Sequence, residues 1–207
     1  MSKNKIFAVS FLGLACFCFF FGYYLLAEID SSFAFFRNSD WTVPLFFLLD
    51  AVMYLILLVA NIRNDDFAYT GIALFVSMET FSFIQELIYG QISSINILRS
   101  GNPLLIVFYV FYILFLTAEA GTGAALYVFV VRYQRGYPNF KFVRIFGILF
   151  ACFIGLASLV NSLMLVLALG PNLLSSLSLL MSAIAIPLAE TCASVGIVFT
   201  LERLKRI

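Results

Sequence analysis

Six long apolar runs succeed one another along the chain, each separated from the next by a short polar stretch or a tight turn. They predict helices over about 6–27, 44–62, 69–90, 104–131, 142–169 and 173–201. Crossing roughly 30 Å of hydrocarbon takes about 20 helical residues. The pattern therefore predicts an all-α, polytopic membrane protein with six transmembrane helices forming a single domain over 1–207. The first run, from Ile6 to Ala27, is uncharged throughout. It exceeds the roughly 7–15 residue apolar core of a signal peptide and reads as a retained first helix.

Polar residues break these runs in a regular way. Asp50, Glu119 and Glu190 each stand the same distance in sequence before an arginine at the end of their own run, namely Arg63, Arg132 and Arg203. The three acids also recur at nearly equal intervals along the chain. Residues 1–66, 67–136 and 137–207 can be read as three repeated helical hairpins, each with its acid in the second helix and all running the same way, the alternative being that any inward-going helix ends in Arg and that tolerated acids cluster near one depth. At a helical rise of about 1.5 Å per residue, the shared spacing puts each acid about 20 Å from its arginine, near the bilayer centre. Glu79, separated from Asp66 by the same interval on a helix running the other way, falls at the same depth. Glu86 lies seven positions beyond Glu79, on the same face and about two turns further out.

Charge sets the orientation. Lys3, Lys5, Arg63, Arg132, Arg135, Lys141, Arg144, Arg203, Lys205 and Arg206 fall on the side of the two termini, against Arg37 and Arg99 on the other. The excess of Lys and Arg in short loops marks the cytoplasmic side, so both termini are expected in the cytoplasm. Trp41, Tyr23 and Tyr24 fit an aromatic belt at the outer interface.

Composition narrows the chemistry. With 63% hydrophobic and 11% charged residues and a net charge of +1, the chain is a membrane domain, and no nucleic-acid partner is expected. It contains no histidine. That removes His-ligated haem, the usual zinc sites and every nucleophile activated by a His base. The four cysteines, Cys16, Cys18, Cys152 and Cys192, all lie inside apolar runs and read as small hydrophobes. No cofactor and no metal site are expected, and the chain is read as not an enzyme. Asn61 with Asp65 and Asp66 resembles an acid-rich magnesium and diphosphate motif of membrane prenyltransferases. The second acidic motif of those enzymes is missing, so the segment reads as a solvated helix end.

The intramembrane acids carry the functional reading. A charged group near the bilayer centre is expensive and faces protein or a water-filled cavity. Apart from Arg144 in the first turn of the fifth, no Lys, Arg or His occurs within the predicted spans, so Glu119, Glu190, Asp50, Glu79 and Glu86 are candidates for binding or relaying a proton or a small cation. Small residues follow each of the acids on the even-numbered helices, as in Ala120, Gly121 and Gly123 after Glu119. Both glycines are expected to pack against a neighbouring helix. Glu119, with the most room around it, is the leading candidate. The bland alternative is that the acids hydrogen-bond to Thr117, Ser158, Asn161, Ser182 or Thr191 across helices.

Successive hairpins of similar length, with an acid in each second helix, resemble in outline the fused proteolipid subunits of rotary ATPases. The glycine-rich first helices of that family are absent here, where helix one reads Phe-Cys-Phe-Phe-Phe. The chemistry of the intramembrane acids predicts an integral membrane transporter or channel-like protein whose carboxylates bind or relay a proton or small cation. Its alternative is a noncatalytic membrane subunit or scaffold that packs against the helices of a partner membrane subunit.

Overall fold

Local sequence signals start and stop the helices. Asn102 caps the longest, its side-chain Oδ1 accepting from Leu104 N at 3.1 Å, and Pro103 opens the first turn, where a missing N–H costs nothing. At the other end Gly136 takes φ +89°, and Pro138 prevents continuation. Asn139 O then accepts from Phe142 N and Val143 N to begin the next helix.

The computed structural model describes residues 3–29, 42–63, 67–81, 102–169 and 177–204. These form α1 (Lys3–Ile29), α2 (Thr42–Arg63), α3 (Phe67–Phe81), α4 (Pro103–Gln134), α5 (Phe140–Leu169) and α6 (Leu177–Leu204). Among the described residues, four helices are long and apolar enough to cross a membrane, through the segments Lys3–Tyr24, Pro103–Gln134, Phe140–Met164 and Ile184–Leu204. This corrects the expectation of six transmembrane helices. The described part of α3, Phe67–Phe81, is apolar and covers about 22 Å, against roughly 30 Å of hydrocarbon.

Neighbouring contacts give the direction of each helix. Gly22 lies against Ile186 and Gly196 against Leu12, so α1 and α6 are antiparallel. A Cβ at Gly196 would stand 2.7 Å from Leu12, which shows how closely the two backbones approach at small residues. Phe129 stacks on Phe142 and Gly123 faces Phe150, making α4 and α5 an antiparallel hairpin. Gly71 meets Ala60 between α2 and α3, and Gln134 Nε2 donates to Thr70 Oγ1 between α4 and α3. α2 and α6 run parallel, joined near Asn61 and Thr200.

This alternation collects Lys3, Lys5, Arg63, Arg132, Arg135, Lys141, Arg144 and Arg203 at one end of the bundle, with both ends of the described chain. Leu12, Leu57, Ile72, Phe75, Leu126, Phe150, Ile197 and Leu201 form a core shared by all six helices. A smaller cluster of Tyr112, Leu116, Ala157, Val160 and Met164 fills the far half of the α4–α5 hairpin. The outer faces carry large apolar side chains such as Phe17, Leu114, Leu159 and Ile184, more than half exposed. A surface this apolar is covered by lipid. The chain is a multi-pass helical membrane protein.

Candidate functional site

The acids of α2, α3, α4 and α6 come together midway along the bundle. Glu119 is buried, and Asp50, Glu79 and Glu190 are partly buried. Glu79 stands within electrostatic reach of Glu119, Glu190 and Asp50 and is the member that connects the other three. Its neighbour Thr80 lies beside Gly123, one turn after Glu119, which places α3 and α4 in contact at the level of the two acids. Ser158 Oγ donates to Glu190 Oε2, tying α5 to α6 at the same level. Glu86 lies outside the described residues.

Tyr54 sits at the middle of this group. It is one turn after Asp50, on the same face of α2. The side chain is buried between Phe19, at 4.7 Å between ring centroids, and Phe75, at 5.3 Å. It stands within electrostatic reach of Glu79, Glu190 and Asp50. Sequence reasoning passed over this residue, although its position one helical turn after an intramembrane acid was a usable signal. Below it Cys16 Sγ donates to Tyr54 O at 3.5 Å.

Hydroxyl groups near the acids serve mostly their own helices. Thr80, Thr117, Thr122 and Thr191 each donate to a carbonyl one turn back, at 2.7–2.9 Å. Among the described residues the acids and cysteines form no group of three able to hold a metal ion. Cys16, Cys18 and Cys192 are buried free thiols, and Cys152 is exposed.

Two expectations for small and polar positions are corrected. Gly123 does face neighbours, but nothing lies within 4 Å of a Cβ at Gly121, which points outward. Two positions along a helix turn the chain by about 200°, so both glycines cannot share one interface. Asn61 is not a solvated helix end. It is fully buried, its Nδ2 donating to Leu57 O at 3.0 Å and its Oδ1 accepting from Thr200 Oγ1 at 2.6 Å. Arg203, also buried, donates through Nη1 to Asn61 O at 3.3 Å. The Asp65 and Asp66 part of that motif lies outside the described residues.

Arg203 therefore joins α6 to α2 at the basic end, about 20 Å along the helix from Glu190. Arg144 pairs with Glu202 at the same end. The bases and the central acids occupy separate levels of the bundle. No family model, no curated protein and no solved structure matches this chain.

Proposed function

We propose that this protein is a membrane transporter in which Glu79, Glu119, Glu190 and Asp50 bind and relay a proton, with Tyr54 between them. The observation that carries the reading is the convergence of three acids, from α2, α4 and α6, on Glu79 of α3. Like charges at this depth favour holding a proton in common, because a charge in low dielectric is costly. A relay also requires neighbours close enough to exchange the proton, and the Tyr54 hydroxyl both donates and accepts hydrogen bonds. The basic end faces the cytoplasm in this reading, by the excess of Lys and Arg there, and the chain is not an enzyme.

The test is acid-driven uptake into proteoliposomes carrying an internal pH dye. Wild type should acidify the lumen, and Glu79→Gln should slow it by about tenfold or more while the purified variant keeps its thermal stability. Removing one proton-transfer group commonly costs about 10²–10⁴ in rate where that group is essential. Glu119→Gln, Glu190→Gln and Asp50→Asn identify which of the other three share the path. If wild type and all four variants show the same leak under every gradient, transport fails. A noncatalytic subunit then takes its place, a reading favoured by the outward-facing Gly121, which leaves room for a partner helix.

A further inference from the structure

The turn between α4 and α5 holds a second group of bases at the basic end, apart from those already engaged. Arg144 is committed to Glu202 and Arg203 to Asn61 O. Arg132 and Arg135 are exposed, and among the described residues neither has an ion-pair partner. They line a cavity of about 550 Å³ together with Tyr137, Asn139, Phe129 and Phe142.

The cavity is built on a rigid loop. Arg135 N donates to Val131 O and Arg132 O, Gly136 N to Tyr133 O, and Tyr137 N to Arg132 O, all within 3.0–3.2 Å. Asn139 Nδ2 donates to Phe129 O at 3.2 Å, which pins the far side of the turn to α4. Arg132 in the last turn of α4 and Arg135 at its C-cap are three positions apart on this loop, and both line the opening. Two guanidinium forks match the oxygens of a phosphate group.

What distinguishes a lipid from a free phosphate is the other wall. Phe129 and Phe142 stack at 5.2 Å and 16° between rings, giving the cavity an apolar side. From Phe142 an exposed apolar track continues along α5 through Ile145 and Leu149, at helical spacings of three and four, toward the middle of the membrane. A phosphate held by the arginines would have its glycerol and acyl chains lying along this track. We infer that the α4–α5 turn is a binding site for an anionic glycerophospholipid, its phosphate on Arg132 and Arg135 and its acyl root against Phe129 and Phe142.

The test uses delipidated full-length protein in neutral detergent, titrated with dioctanoyl phosphatidylglycerol. Dioctanoyl phosphatidylcholine and glycerol 3-phosphate are the comparison arms. Phosphatidylglycerol should bind at least about tenfold more tightly than either. Arg132→Gln with Arg135→Gln should weaken it about 30-fold, the effect of two surface bases. Lys3→Gln with Lys5→Gln removes the same charge from the same end and should leave binding within about threefold. Phe142→Glu, which keeps both arginines but charges the apolar wall, should also abolish preferential binding. Equal losses in the two double variants would mean diffuse attraction to the whole basic end and would overturn the site. Glycerol 3-phosphate binding as tightly as the lipid would overturn the lipid assignment, and unchanged binding in Phe142→Glu would overturn the proposed seat.

Discussion

Gly121 and Gly123 are two positions apart on α4 and meet opposite surroundings. A Cβ at Gly123 would stand 2.8 Å from Thr80 Oγ1 and 3.1 Å from the Phe150 ring, whereas one at Gly121 would meet open space. A larger side chain at Gly123 must push α3 or α5 aside, at a cost of about 1–3 kcal/mol. Gly123→Leu is expected to lower the thermal unfolding temperature of the purified protein, and Gly121→Leu to leave it within error. The reverse order would mean that α4 is rotated about its axis. The contrast also bears on the acid site, because Gly123 lets Thr80, and with it Glu79, approach α4 at the level of Glu119.

At the scale of elements, the α4–α5 hairpin depends on one backbone conformation. Gly136 has φ +89°, in the left-handed region where a Cβ clashes with the local backbone, although the space around it is open. Gly136→Ala should therefore destabilise by about 1–2 kcal/mol without any overpacking. Thermal unfolding in detergent would measure it, and an unchanged midpoint would show that the turn relaxes freely. Hairpin and bundle are joined by different means. α1 and α6 close on small residues, Ala8, Ala15, Ala189, Ala193 and Gly196, while α6 and α2 are fastened by the buried Asn61, Thr200 and Arg203. A buried hydrogen-bonded group of this kind sets one register between two helices, because any slip would strand its donors.

Across the whole molecule, charge is divided by level. Among the described residues the bases occupy one end and the four acids the middle of the bundle. The orientation proposed for the basic end can be checked at the two ends of α4, where Asn102 and Gln134 are both exposed. In a background with the native cysteines replaced, Gln134→Cys should react with an impermeant thiol reagent only from the cytoplasmic side. Asn102→Cys should react only from the opposite side. Labelling of position 134 from outside would invert the protein in the membrane and reverse the direction of any proton path through it.

The apolar runs, the helices and the crowding of bases at one end were legible in the sequence. Backbone groups in lipid must be satisfied within the helix itself, and loop charges sort by side independently of how the helices pack. The capping at Asn102-Pro103 and the turn at Gly136 are set locally as well, by the side chains at those positions. Helix identity, by contrast, did not reveal which helices are long enough to cross, and the reading of six spans gave way to four. Nor did it tell the two faces of α4 apart, since an apolar span has no polar side to show which way Gly121 or Gly123 points. The burial of Asn61 and Arg203 depends on α2 lying beside α6, a contact between segments far apart in the chain. Depth along the membrane could be counted from Asp50, Glu79, Glu119 and Glu190 to the ends of their runs. Whether acids at one depth lie close enough to repel one another around Tyr54 depends on the packing of α2, α3, α4 and α6, and only the tertiary structure decided that.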